Sequence, residues 1–117
     1  MPQQAAASLL TLDIEMKSNM AVVRCHGKLV AGVCDILYAR VHALVPDAKR
    51  IVLDLTDLSH MDSMGLGTLV RLYVSAKAAG CSLELINLGK RVRELLGVTN
   101  LLSIFTIIGE QGLTVRM

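Results

Sequence analysis

The chain has 117 residues and a formal net charge of +2, with 53% hydrophobic and 19% charged residues. This length suits one domain, and the apolar content is high enough to form a core, which argues against intrinsic disorder. The basic residues are scattered and only 3% of the chain is aromatic, so the sequence offers neither a basic stripe nor a base-stacking platform for nucleic acid.

The first predicted elements form a hairpin. Residues 1–8 are mostly small, which predicts a loosely ordered tail before a folded part at 9–117. Apolar and polar residues nearly alternate over 9–16, the period of a half-buried strand. After a two-residue break, a second strand is predicted at 21–25, close enough to the first to pair with it as a hairpin.

A helix, a buried strand and a second helix follow the hairpin. The period over 32–45 is that of a helix, and Pro46 ends it. The β-branched run at 51–55 predicts a strand covered on both faces. A polar loop at 56–63 then leads into a long helical pattern at 64–79. The stripe expected to face the core from the first helix consists of Val33, Leu37, Val41 and Leu44.

The rest of the chain continues the alternation. A strand is predicted at 82–87, a short helix at 90–96 and a last strand at 104–108. A hairpin followed by alternating helices and strands predicts an α/β fold. We expect a mixed sheet of four to five strands with about three to four helices packed on it.

The cysteines and the N-terminal sequence indicate in which cellular compartment the protein works. Cys25, Cys34 and Cys81 do not have the spacing of a redox or zinc pair, so we interpret them as buried thiols in a reducing environment. No Lys or Arg precedes Lys17, so the cationic start of a signal peptide is missing. The charge-free stretch nearest in length to a membrane span, which begins at Leu95, is too short and too polar. We expect a soluble, cytoplasmic protein without a membrane contact.

Specific chemistry is concentrated where Asp62-Ser63 precedes the second helix. A serine hydroxyl at this point lies at a helix N-terminus, where backbone N–H groups lack partners. Gly65 and Gly67 in the first turn leave backbone uncovered, so that a partner surface can approach closely. The Asp-Ser pair alone also fits a simple N-cap, a role that serine often fills.

The whole segment resembles the signature of the STAS family, the domain shared by sulfate transporters and anti-sigma factor antagonists. In that signature a hydrophobic strand ends in Asp-Leu, and a loop leads to Asp-Ser-x-Gly-Leu-Gly at the start of a helix. The resemblance extends over about residues 10–110 and implies a single STAS-like domain. The positions that depart from the family pattern are Val30, His60 and Met64.

The resemblance implies an anti-sigma factor antagonist of bacterial type. Such a protein binds an anti-sigma factor with serine kinase activity and thereby releases a sigma factor. Phosphorylation of Ser63 would prevent binding, and a serine phosphatase would restore it. A phosphate adds about −1.5 to −2 charge beside Asp62, and the helix N-terminus can accommodate the anion, so we expect a switch without refolding.

The predicted contact surface continues from Ser63 along the helix. The expected partner-binding residues are Asp62, Ser63, Met64, Gly65, Leu66, Gly67, Thr68 and Arg71. Thr68, Arg71 and Leu72 are expected on an exposed edge of the helix. We expect no cofactor and a monomer or weak dimer.

The sequence also leaves other functional interpretations open. STAS domains also serve as non-switching scaffold subunits of sensory or lipid-transport complexes. A serine nucleophile would need a base and an oxyanion hole, and although His60 lies three residues before Ser63, no Gly-x-Ser-x-Gly elbow is present, so we expect no enzyme. The basic cluster at Lys90, Arg91 and Arg93 is interpreted as a solvated face, with a contribution to partner docking as the alternative.

Overall fold

The computed structural model describes residues 9–98, 106–108 and 114–115. Its strands are β1 (Leu10–Lys17), β2 (Met20–Leu29), β3 (Arg50–Met61), β4 (Ser82–Ile86), β5 (Thr106–Ile108) and β6 (Thr114–Val115). Its α-helices in this part of the chain are α1 (Cys34–His42), α2 (Ser63–Ala78) and α3 (Lys90–Val98), and a short 3-10 helix covers Val45–Asp47. The predicted tail at 1–8 and the first two residues of the predicted strand at 104–108 lie outside the described residues.

The predicted hairpin is present and longer than expected. β1 pairs with β2 in antiparallel fashion, from Leu10 opposite Gly27 to Lys17 opposite Met20. β2 extends past the predicted 21–25 because its second half also pairs with β3. Gly27 has a φ of +107°, and a Cβ at this position would meet the Leu9 carbonyl. Only glycine therefore fits where β1 begins beside β2.

The sheet is mixed and its strands follow the order of the chain. β2 to β5 run parallel, while β1 and β6 pair in antiparallel fashion at the two edges. The α/β architecture is confirmed, and β6 extends the sheet beyond the predicted four to five strands. One face of the sheet packs with the helices in a continuous core that includes Val23, Leu37, Leu53, Leu69, Leu72 and Leu85.

β3 runs through the segment that the sequence predicts to be a loop. The predicted loop at 56–63 is wrong, because residues up to Met61 stay in the sheet, with Leu58 opposite Gly27 and Met61 opposite Leu29. Leu58 is 7% exposed and anchors this extension. The polar neighbours of Leu58 are exposed to solvent. The strand therefore carries the chain directly to Asp62.

Both long helices differ from the prediction at their ends. α1 covers only part of the predicted 32–45, and Pro46 lies in the following 3-10 helix rather than beyond a longer α-helix. The predicted core stripe is confirmed at Val33, Leu37 and Val41, while Leu44 is half-buried. α2 begins one residue earlier than predicted, at Ser63. Because of that shift, the N-cap residue of α2 is Asp62 and not Ser63.

The cysteines are buried as predicted. Cys25, Cys34 and Cys81 are all free thiols inside the fold. Burial, with a smaller effect of the Asp54 charge, raises the pKa of the Cys25 thiol to about 12. Such a thiol stays protonated and is a poor nucleophile.

None of the described helices combines the length and the apolar character that crossing a bilayer requires.

Candidate functional site

The candidate site is the junction at which β3 ends and α2 begins. Asp62 has an extended backbone, with φ −108° and ψ −173°, and is the N-cap of α2. Its carbonyl accepts the first helical hydrogen bond from the Leu66 N–H at 3.0 Å. Ser63 is therefore the first residue inside the helix, and the alternative in which serine is the N-cap is excluded.

The Asp62 carboxylate joins two segments of the chain. Oδ1 accepts the Gly65 N–H at 3.0 Å, and Oδ2 accepts the Ala31 N–H at 3.0 Å. These hydrogen bonds, with that from Ala31 the largest effect, hold the pKa of Asp62 below its ordinary value. An ionised Asp62 thus ties the loop between β2 and α1 to the first turn of α2.

The Ser63 side chain is presented to solvent. The residue is exposed, and its hydroxyl forms no hydrogen bond with any of the residues that the structure describes. Because Asp62 is the N-cap residue, the Ser63 hydroxyl does not cap the N-terminus of α2. The expectation of an accessible serine oxygen at this junction is confirmed.

The two glycines of the first turns of α2 have different surroundings. A Cβ on Gly65 would meet the Leu29 carbonyl oxygen and would lie 2.8 Å from the Met61 Cγ. The expectation that Gly65 leaves backbone open to a partner is therefore wrong, because the chain's own β2 fills that space. A Cβ on Gly67 would have no atom within 4 Å, so its surface is open as predicted.

A small cleft lies beside Ser63. It has a volume of about 130 Å³ and is lined by Ala31, Gly32, Cys34, Asp35 and Met64. The Met64 side chain is 59% exposed, and the Cys34 thiol points back to donate to the Val30 carbonyl at 3.2 Å. The cleft is thus open, bordered by the thioether of Met64, and close to the carboxylates of Asp35 and Asp62.

The predicted contact residues divide between the surface and the core. Ser63, Met64, Gly67 and Arg71 are exposed, and Asp62 is half-buried. Gly65, Leu66 and Thr68 are buried, and so is Leu72, which is 0% exposed. The predicted exposed edge is therefore wrong for Thr68 and Leu72. Both lie on the buried side of α2, and the Thr68 hydroxyl is satisfied by the Met64 carbonyl at 2.9 Å.

Arg71 is held in place by an aromatic residue that the sequence did not single out. Its guanidinium carbon lies 4.2 Å from the centroid of the Tyr38 ring, and the Tyr38 ring stacks on His42 at 5.3 Å. The Tyr38 hydroxyl lies 3.4 Å from the Ser75 Oγ. The only sequence signal for this arrangement is the i, i+4 spacing of the two rings on α1, which places them on one helix face.

The hydrogen-bond partners of His60 and His26 are residues other than Ser63. His60 lies on β3, and its Nδ1 is 3.2 Å from the Ser59 Oγ. His26 bridges neighbouring strands, with Nε2 2.9 Å from the Asp13 carboxylate and Nδ1 3.0 Å from the Asp57 carboxylate. Carboxylates only accept hydrogen bonds, so both contacts require the protonated ring. The hydrogen bond to Asp13 is the main cause of a raised pKa at His26.

Among residues 9–98, 106–108 and 114–115, no three His, Cys, Asp or Glu side chains are grouped as metal ligands. The basic cluster predicted near the start of α3 has Lys90 and Arg93 exposed, in keeping with a solvated face.

Comparison with known proteins identifies relatives of the chain. A family model described as the STAS domain matches residues 11–112. The anti-sigma-B factor antagonist of Bacillus subtilis (strain 168) is 30% identical over 98 residues, which are 84% of this chain and 90% of that protein.

Solved structures share the fold at lower identity. An anti-sigma factor antagonist from Mycobacterium paratuberculosis has a TM-score of 0.75 at 22% identity and covers 84% of each chain. The phosphorylated form of the Bacillus cell fate determinant SpoIIAA has a TM-score of 0.68 at 20% identity, over 86% of this chain and 94% of that one. These likenesses support the assignment of the sheet and helices described above.

Proposed function

The chain belongs to the STAS domain family, and from this premise we propose that it is an anti-sigma factor antagonist switched off by phosphorylation of Ser63. In its unmodified state it binds an anti-sigma factor with serine kinase activity, which then releases its sigma factor. A serine phosphatase resets the switch. The single observation that carries the proposal is the exposed Ser63 hydroxyl beside a capping Asp62. A cytoplasmic location follows from the proposed partners.

The junction is suited to present Ser63 to a kinase. Asp62 holds the first turn of α2 and the β2–α1 loop together through hydrogen bonds to Gly65 and Ala31. The serine is therefore displayed on a fixed backbone rather than on a loop that must first be ordered. A preorganised surface loses less conformational entropy when a partner binds.

The same geometry explains how a phosphate would prevent binding. The Asp62 carboxylate already accepts the N–H groups of Ala31 and Gly65, which hold its pKa below the ordinary value. The Gly65 donor of the first turn is therefore taken, and the phosphate would rely on the other N–H groups of the helix N-terminus. A group with about −1.5 to −2 charge would stand beside an ionised Asp62 and project outward. A partner surface would meet like charge and a costly desolvation, without any refolding of the domain.

Phosphate transfer tests the proposal directly. Each anti-sigma factor of the serine-kinase type encoded in the same genome is purified and incubated with labelled ATP and the wild-type chain, Ser63→Ala or Ser59→Ala. Ser59 is a matched control, because it is an exposed serine on β3 four residues before Ser63. We expect label on the wild type and on Ser59→Ala, and none on Ser63→Ala. Equal labelling of Ser63→Ala, or no labelling of the wild type by any of these kinases, would contradict the proposal.

A further inference from the structure

The solvent side of α2 carries a regular row of exposed residues. We call it the α2 seam, and it consists of Met64, Gly67, Arg71, Val74 and Ala78. The steps between these residues alternate between three and four, which keeps all of them on one side of a helix. Met64 and Val74 are 59% and 58% exposed, and they are among the large apolar side chains that are exposed in the described part of the chain.

The seam is not needed for the protein's own core. The opposite stripe of α2, which includes Leu69, Leu72 and Ala76, already packs against the sheet. The helix thus has a buried apolar stripe and, on its other side, an exposed seam that carries two large apolar side chains. Alternating three- and four-residue spacing is the pattern by which one helix packs its side chains into another. Gly67 lies within the seam, and the open space above it allows a second backbone to come close.

Arg71, at the centre of the seam, is a cation whose position is set by an aromatic contact. Its guanidinium stacks on Tyr38, and the hydroxyl of Tyr38 lies within reach of Ser75 on α2 itself. None of the carboxylates in the described residues forms an ion pair with it. A guanidinium fixed in this way has lost part of its rotational freedom before binding, and it can donate two parallel hydrogen bonds to a carboxylate.

We propose that the α2 seam docks an α-helix of the anti-sigma partner, which presents a carboxylate to Arg71 between small or apolar side chains that cover Met64 and Val74. This inference rests on the proposed function and names the chemistry by which the partner is recognised. Ser63 lies at the N-terminal end of the seam, so a phosphate there would stand at the edge of the same contact.

A two-fold symmetric contact centred on the seam is disfavoured. In such a contact, the residue on the symmetry axis faces its own copy. The central seam residue is Arg71, with two seam residues on either side of it along α2. Two guanidinium groups that pair with no carboxylate of the described residues would then be brought together, which opposes association. A partner helix that carries an acidic residue meets no such repulsion.

The proposal is tested by measuring how tightly the full-length chain binds its anti-sigma factor. The anti-sigma factor that labels Ser63 is titrated by calorimetry with the wild type, Arg71→Glu, Val74→Glu and Lys49→Glu, each checked by circular dichroism for an intact fold. Lys49→Glu is the matched control, since it makes the same charge change at an exposed position just before β3, outside the seam. We expect Arg71→Glu and Val74→Glu to weaken binding by about tenfold or more. Lys49→Glu is expected to bind within about threefold of the wild type, as distant charges mainly alter the association rate.

The results separate the seam from the general function. If the wild type binds its anti-sigma factor and both seam variants bind equally well, the seam proposal is overturned while the proposed function stands. If the wild type binds none of the anti-sigma factors, both fail. In a charge-reversal test, each acidic residue of the partner helix is changed to Lys and the partner variant is titrated with Arg71→Glu. Recovery of the binding affinity in one such pair would identify the proposed ion pair, and no recovery in any pair would overturn it.

Discussion

Substituting each of the two glycines of α2 by alanine should have opposite effects on stability. In an exposed helix interior, Gly→Ala gains about 1 kcal/mol from backbone entropy. At Gly67 a Cβ would have no atom within 4 Å, so Gly67→Ala should keep most of that gain. We expect its free energy of unfolding to rise by about 0.5–1 kcal/mol.

At Gly65 the same methyl group has no space. It would meet the Leu29 carbonyl, which is backbone and cannot rotate away, and that carbonyl also accepts the Asp62 N–H at 3.3 Å. Overpacking costs about 1–3 kcal/mol, and a displaced Asp62 cap about 1 kcal/mol more. After the helix gain of about 1 kcal/mol is subtracted, Gly65→Ala should lose about 1–3 kcal/mol of unfolding free energy.

Urea unfolding followed by circular dichroism measures both variants against the wild type, with thermal midpoints as a second readout. Roughly 4 °C per kcal/mol is expected at this size, so Gly65→Ala should melt about 4–12 °C lower and Gly67→Ala a few degrees higher. If Gly65→Ala were as stable as Gly67→Ala, the packing of α2 against the end of β2 would be wrong.

Three further predictions concern individual side chains. Asp62→Ala should lower the free energy of unfolding in urea by about 1 kcal/mol at pH 7. Because the pKa of Asp62 is lowered in the folded state, this stabilisation is present above the unfolded-state pKa near 3.9 and disappears as the pH falls through the folded-state pKa. Equal stability of Asp62→Ala and the wild type at pH 7 would contradict the capping role. The raised pKa of His26 means that its contribution is complete below about 6.5 and is lost as pH rises through the folded value. An NMR titration should show that Asp13→Asn lowers the His26 pKa, and an unchanged value would exclude the bridge. Leu72→Ala should cost about 2–5 kcal/mol and Val74→Ala less than about 0.5 kcal/mol in denaturant unfolding; similar costs would contradict their opposite burial.

The features that sequence reasoning predicted well are those with a local periodic signal. Alternation over β1 fixes which face is buried, and the hairpin follows from the short break after it. The stripe through Leu37 and Val41 identifies the core side of α1 by the same kind of argument. The exposed Ser63 could be predicted because a polar residue follows a buried strand and opens a helix.

The errors arise where distant segments determine the structure. Residues 56–61 read as a loop from their polarity, but pairing with β2 holds them in the sheet, where one Leu58 side chain is enough to anchor them. The predicted contact surface includes Thr68 because it continues from Ser63 along α2. The rotation of α2 is set instead by its apolar stripe, and a hydrogen bond to its own helix satisfies the Thr68 hydroxyl.

Two features of the site depend on contacts between segments that are distant in the sequence. The reason for glycine at position 65 is the Leu29 carbonyl, which comes from a strand more than thirty residues earlier in the chain. The stacking of Arg71 on Tyr38 joins two helices whose relative positions are set by the shared core. No spacing within either helix contains that information.

The central claim is that a charge placed on the Ser63 oxygen abolishes partner binding while the fold is retained. The direct measurement compares the fully phosphorylated chain with the unmodified chain, by calorimetric titration against the kinase-type anti-sigma factor and by amide NMR spectra of both forms. The account predicts at least a hundredfold loss of affinity, on the order of 3 kcal/mol, with chemical-shift changes confined to Ser63 and its neighbours. Equal affinity of the two forms, or shifts spread through the whole sheet, would contradict it.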